Sequence, residues 1–259
     1  MSRENITDIL CIGCQKGSTS WLHSVLNSHP KTHSFPSSGP LTSTDKEAHF
    51  WDWNHKRGVD WYRTLMTPPN PAKLSMDFTP EYAFLSAEHI AECKALNPTA
   101  KVIYILRDPM ARAVSALRMH MLWRYGKDHA EPLHRDEEFL TLVRNSRITL
   151  HGAFLHNLRA WQKHYPDMMV LNYEDFHNDR AASVARIFAA LDLDTNEMNE
   201  GSQRRVERLV DGGRVWESEK FPMDRSVLMF LQGLTCRVRQ ACESELNMRF
   251  AEGEQLLNG

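Results

Sequence analysis

Ile9-Leu10-Cys11-Ile12-Gly13-Cys14-Gln15-Lys16-Gly17-Ser18-Thr19-Ser20-Trp21 is the stretch that decides the fold. From Ile6 to Gly13 the chain is apolar, rich in isoleucine, and stops at a glycine, which predicts a buried strand. Cys14 to Thr19 is short and polar, and Ser20 to Leu26 carries Leu22, Val25 and Leu26 at helical spacing. A strand that passes into a helix through such a loop leaves backbone N–H groups unpaired at the positive end of the helix dipole. That is a cradle for a phosphate-like anion. Gly17 lets the backbone approach a ligand, Ser18, Thr19 and Ser20 add hydroxyl donors, and Lys16 adds a full charge. The lysine precedes the glycine, so the order is not that of a Walker A loop, and no GxGxxG is present. A plain capped turn with a solvated lysine would read the same way, so the loop needs independent support.

Lys101 to Leu106 supplies it, as the clearest buried strand in the chain. It runs into Arg107-Asp108-Pro109, where Asp108 suits an N-cap and Pro109 the first helical turn of a helix reaching Tyr125. An arginine at a strand's carboxyl end points into the crevice where open α/β sheets bind ligands. Ser115 follows eight residues on, about 12 Å along the helix axis. Read alone, Arg107 could equally serve as a salt bridge or helix cap.

Further out, strands are expected at Lys73–Phe78 and Met168–Asn172. Helices are expected at Asp60–Met66, Ala87–Leu96, Glu137–Arg147, Ala153–His164, Arg180–Leu191 and Val227–Leu246. His29 to Thr44 reads as a surface loop, and Asn196 to Arg225 as mixed and polar with a turn at Asp211-Gly212-Gly213. The alternation predicts an α/β fold: a single domain over 1–259, a mostly parallel central sheet with helices on both faces, and a P-loop-like phosphate-binding loop. At 259 residues two full domains are not expected.

The formal net charge of −2 gives no global attraction to nucleic acid or a membrane surface, so any anion site is local. No run approaches the ~20 apolar residues of a membrane span, and no secretory signal is visible, so a cytoplasmic protein is expected. Five cysteines without framework spacing suit a reducing compartment. Cys11-x-x-Cys14 has no partner pair and begins inside a strand, so it reads as packing. The thirteen histidines form no HExxH, and no metal is expected.

Together these segments resemble the sulfotransferase superfamily. KGSTSW (Lys16–Trp21) resembles its 5′-phosphosulfate loop, with the tryptophan of the cytosolic branch, and ILRDPMARAVSAL resembles its 3′-phosphate element. Tyr173-Glu174-Asp175 is similar to a nucleotide-side segment of the cytosolic branch. KEAHFWDW (Lys46–Trp53), Asp60-Trp61-Tyr62, DFTPEY (Asp77–Tyr82) and NPTAKVIYILRDP resemble the heparan-sulfate and carbohydrate branch. The likeness runs in register from about Ile6 to Phe176.

The resemblance implies that the donor is 3′-phosphoadenosine-5′-phosphosulfate (PAPS), that adenosine 3′,5′-bisphosphate is the product, and that the acceptor bears a hydroxyl or amine. Lys16 would contact the 5′-phosphate and bridging oxygen. Gly17, Ser18, Thr19 and Ser20 would hold that phosphate, Trp21 would stack on adenine, and Arg107 with Ser115 would grip the 3′-phosphate, with Tyr173 nearby. Glu47 matches the carboxylate that takes the acceptor's proton, and His49 and Asp52 match residues that assist it. Phe78 stands where the carbohydrate branch commonly has a catalytic lysine. Asp211–Trp216 (DGGRVW) is the nearest match to a loop that closes over the nucleotide, with Arg214 as its phosphate ligand and Trp216 as its lid aromatic. Outside the resemblance, Glu47 could be a solvated loop carboxylate and His49 a packing histidine. Two alternatives stay open: a P-loop-type nucleotide kinase, which lacks its Walker A lysine here, and a non-catalytic nucleotide-binding protein.

Overall fold

A computed structural model describes residues 4–36, 45–126, 133–212 and 221–258. In chain order the elements are β1 (Ile9–Gly13), α1 (Thr19–Leu26), β2 (Thr32–His33), α2 (Val59–Met66), β3 (Leu74–Asp77), α3 (Ala87–Leu96), β4 (Lys101–Leu106) and α4 (Pro109–Tyr125). There follow α5 (Glu137–Asn145), α6 (Ile148–Gly152), α7 (Phe154–Gln162), β5 (Met169–Asn172), α8 (Tyr173–Asn178), α9 (Arg180–Ala190), α10 (Glu200–Val210), α11 (Arg225–Leu246) and α12 (Glu252–Asn258). A π-helical turn covers Phe50–Asn54, and 3-10 turns cover His55–Arg57 and Pro80–Phe84.

The five strands form one parallel sheet in the order β2-β3-β1-β4-β5. β1 is central and buried along its whole length, because both of its faces are covered and every side chain must be apolar. Successive residues point to opposite faces. Leu10 and Ile12 join Val102, Tyr104 and Leu106 against Phe154, Leu158 and Trp161 of α7. Ile9 and Cys11 join Met76, Ile103 and Ile105 against Leu22, Val25 and Leu26 of α1 and Val184, Ile187 and Phe188 of α9. A third cluster knits α4, α5 and α11 through Val114, Leu117, Phe139, Val227 and Leu231. Cys11 and Cys14 are both fully buried and free, and burial pushes the Cys11 thiol up to about 12, so they are packing residues.

Three expectations need correction. The loop expected over 29–44 contains the edge strand β2, which pairs Thr32 with Leu74; two residues are too short to carry a periodic signal. The helix expected over Glu137–Arg147 ends at Asn145, and Arg147, at φ 54°, precedes a further short helix, α6, that was not expected. The polar stretch after Asn196 contains α10, with no residue buried, and its start is capped by Asn199, which accepts from the Ser202 N–H.

Candidate active site

The loop between β1 and α1 is held by backbone bonds and by one steric requirement. Cys14 N–H donates to Ile105 O at 2.8 Å, and Gly17 N–H to Cys14 O at 2.9 Å. A Cβ at Gly17 would lie 2.9 Å from both Cys14 O and its Sγ, so no side chain fits there. Lys16 and Ser18 take left-handed backbone at φ 66° and 65°, which bends the loop around the start of α1. Three cations meet at this loop. Arg107 leaves the end of β4 and donates from Nη1 to Lys16 O at 2.9 Å. Lys46 is buried and repels the Lys16 ammonium, as does Arg107. Burial first, then these two charges, pull Lys16 down to about 7. An anion bound beside this lysine would restore its charge.

Arg107 also stacks over Tyr173, with its guanidinium carbon 4.5 Å from the ring centroid, so the Tyr173 segment does stand beside it. Burial opposes the Arg107 charge, but the Glu252 carboxylate of α12 more than offsets this and holds its pKa up. Asp108 caps α4, accepting from Met110 and Ala111 N–H at 2.9 Å each, as its place before Pro109 foretold. Ser115 lies half-buried on α4, two turns beyond Arg107. Ser18 Oγ is 2.9 Å from His177 Nε2. Trp21 is placed otherwise than expected: its ring is 5% exposed, packs edge-on against Phe176, donates from Nε1 to Leu209 O, and lies under Arg180. It is a core residue rather than an open adenine platform. Arg214 and Trp216 lie outside the described residues.

Facing the loop is the segment 46–54, and the DFTPEY motif is what holds it. Asp77, at the end of β3 and fully buried, accepts from Tyr62 Oη and Tyr82 Oη at 2.9 Å, Thr79 Oγ1 at 2.7 Å and Ala48 N–H at 3.2 Å. Phe78 N–H donates to Lys46 O, Phe50 N–H to Tyr82 Oη, and His49 N–H to Thr79 Oγ1. Four of these bonds join the segment to the motif and make it a fixed wall, since leaving any donor unpaired would cost about 1–3 kcal/mol. Phe78 itself packs edge-on against His23.

On that wall Glu47 pairs with Lys46 and lies 3.5 Å from His49 Nε2. His49 Nδ1 is 2.9 Å from Asp52 Oδ2, and Trp53, itself 58% exposed, stacks on the imidazole at 3.5 Å. Burial raises the Glu47 carboxyl, yet the His49 hydrogen bond and the Lys46 charge prevail and hold it at about 2. Burial likewise opposes an imidazolium at His49, but bonds to Asp52 and Glu47 bring it up to about 9. Glu81, from the 3-10 turn of the same motif, brings a carboxylate within 4.8 Å of the His49 and Asp52 donor atoms, and burial pushes it up to about 7. His151 lies 3.8 Å from Glu81, but burial and Arg112 keep it neutral.

Lys46, Asp77, Glu81, His177 and Glu252 were not singled out as site residues from the sequence. Lys46 and Glu81 stand inside quoted motifs and were within reach; Glu252 has no local signal at all.

Comparison with known proteins agrees with this geometry. Residues 6–211 match the family model described as the sulfotransferase domain. Human heparan sulfate glucosamine 3-O-sulfotransferase 6 is 33% identical over 190 residues, covering 71% of this chain and 52% of the relative. Mouse heparan sulfate glucosamine 3-O-sulfotransferase 3B1 is 27% identical over 187 residues, covering 71% of this chain and 45% of that one. The chain thus spans about half the length of these relatives. In fold it is similar to a sulfotransferase from Alicyclobacillus acidocaldarius, with a TM-score of 0.69 at 18% identity over 98% of this chain and 100% of the other. The matched region contains the cation-lined loop, Arg107 and the wall built on Asp77, and this chain belongs to the sulfotransferase family.

Proposed function

We propose that the chain transfers the sulfuryl group of PAPS to a hydroxyl or amine of a carbohydrate acceptor. The observation that carries the reading is the meeting of Lys16, Lys46 and Arg107 at the β1–α1 loop, opposite a fixed wall bearing Glu47, His49 and Asp52. Transfer is an in-line displacement at sulfur: the bond from sulfur to the phosphate oxygen breaks, and a bond to the acceptor oxygen or nitrogen forms. Lys16 takes up charge developing on the departing phosphate. Arg107 and Ser115 hold the 3′-phosphate, and the N–H groups of Ser18, Thr19 and Ser20 the 5′-phosphate. Glu47 is deprotonated and accepts the acceptor's proton. Its basicity is suppressed by the His49 hydrogen bond and by Lys46, and an anionic donor beside Lys46 competes for that lysine and so makes the carboxylate more basic. His49, with carboxylates on both ring nitrogens, holds Glu47 in place as an imidazolium.

The carbohydrate class rests on the names of the matched relatives and on Trp53, an exposed ring beside the carboxylates on which a sugar can stack. Nothing favours a nucleotide kinase: the Walker A lysine is missing. The deciding experiment is a thermal-shift series with PAPS, adenosine 3′,5′-bisphosphate and ATP with magnesium, followed by labelled PAPS with heparan-type oligosaccharides. Stabilisation by ATP with magnesium alone would overturn the proposal.

A further inference from the structure

Beyond the wall in sequence, three metal-ligating side chains come together from two separate elements. His55 lies on the 3-10 turn that continues the aromatic segment, and His89 and Glu92 lie on α3. His55 Nε2 is 2.8 Å from Glu92 Oε2, and the two imidazole rings have centroids 4.6 Å apart. One donor atom from each of the three residues lies within 4.8 Å of the others. His89 and Glu92 are three apart on one helix, so both project from the same face.

The geometry is near what a small cation requires. With bonds of about 2.1 Å, two ligands of a tetrahedral ion are about 3.4 Å apart, so the present spacing needs only rotamer adjustment. Two imidazoles and one carboxylate suit zinc-class ions and do not suit calcium or magnesium, which take oxygen donors. The His55 and Glu92 side chains are 39% and 36% exposed, which leaves room for a water as fourth ligand. Without an ion the His55–Glu92 contact is a half-exposed pair of small energetic value. A second group, His49, Asp52 and Glu81, meets the same distance limit, but its atoms belong to the cleft already described.

We propose that His55, His89 and Glu92 form a three-ligand site for a zinc-class divalent cation, completed by water. The ion would tie the 3-10 turn to α3. Because His55 packs against Phe50 at 5.4 Å and Trp51 at 6.2 Å, it would also fasten the aromatic segment that carries Asp52 and Trp53. The site is independent of what the cleft binds.

The test uses the full chain, freed of metal with a chelator and titrated with Zn²⁺, and in parallel with Co²⁺ as a spectroscopic probe. One equivalent of Zn²⁺ should bind in the micromolar range or tighter, Co²⁺ should show the visible bands of a four-coordinate ion, and Zn²⁺ should raise the unfolding temperature. His89→Ala and Glu92→Gln should each weaken Zn²⁺ binding by ~10-fold or more, a loss that even outer-shell partners of metal sites reach. Metal-free unfolding of Glu92→Gln, a near-isosteric change, should match the parent and so separate a lost ligand from a lost fold. Unchanged Zn²⁺ affinity in Glu92→Gln and His89→Ala, or no saturable binding in the micromolar range, overturns the proposal.

Discussion

Arg107 and Glu252 form a two-point ion pair across 145 residues of chain: Nε donates to Oε2 at 2.7 Å, and Nη2 donates to Oε1. Glu252 opens α12, and the Ala251 and Glu252 N–H groups donate to Glu174 Oε1 at 2.7 and 3.0 Å. Arg239 completes the anchoring by donating to Phe250 O at 2.6 Å and Glu254 Oε1 at 2.7 Å. A carboxylate with matching forked geometry therefore holds the guanidinium proposed to read the 3′-phosphate.

Competition for Arg107 has a measurable consequence. Glu252→Gln removes the charge and should strengthen adenosine 3′,5′-bisphosphate binding ~3- to 10-fold by calorimetry, about 0.7–1.4 kcal/mol. Arg107→Ala should weaken it by ~2–3 kcal/mol while 5′-AMP, which lacks the 3′-phosphate, is nearly unaffected. Equal losses for both nucleotides would remove Arg107 from the 3′-phosphate site.

Lys16 near 7 implies proton uptake on donor binding. At pH 8 the ammonium is mostly deprotonated in the free protein, and a polyanion beside it restores the charge. Titrations in buffers of different ionisation enthalpy should show uptake approaching one proton at pH 8 and little at pH 6. Lys16→Met should abolish the uptake and lower kcat by a larger factor than it raises KM for PAPS. A pure KM effect would make Lys16 a binding residue only.

For Glu47 the expectation is catalytic. Glu47→Gln keeps the shape and removes the basicity, so turnover should fall ~10²- to 10⁴-fold while affinity for adenosine 3′,5′-bisphosphate holds. Near-full activity in the variant would move the proton acceptor to Glu81, whose pKa of about 7 is the better matched of the two.

Glu81 also makes a prediction that needs no substrate. Its folded pKa is raised from 4.5 to about 7, so the fold prefers the protonated acid. The associated stability is present below pH 4.5 and is lost as pH rises through about 7. Glu81→Gln should remove this loss and gain about 1–3 kcal/mol on the parent between pH 5 and pH 8, measured by denaturant unfolding. A constant difference across that range would mean that Glu81 titrates normally.

Much of the fold was readable locally. β1, and β4 beyond its exposed first residue Lys101, are continuous apolar runs because burial on both faces disfavours anything else, and the loop between β1 and α1 betrays itself by Gly17, where a Cβ has no room. Asp108 before Pro109 announced the start of α4, and Arg107 its place at a strand's end. Edge strand β2 and polar helix α10 escaped because neither buries enough side chains to leave a period in the sequence. What only the tertiary structure decided are the pairings between distant residues. Trp21 lies among core residues because α8 and α10 close over it. Lys46 meets Lys16 across the cleft, Glu81 is shifted by burial beside His49, Glu47 and Asp52 on its own wall, and Asp77 becomes an anchor only when Tyr62 and Tyr82 converge on it. Glu252 meets Arg107 only through the packing of α12 on α4, and His55 meets His89 and Glu92 only through the packing of a turn on α3. Local sequence carries propensity and burial, whereas charge state and ligand geometry depend on which groups folding brings within a few ångströms.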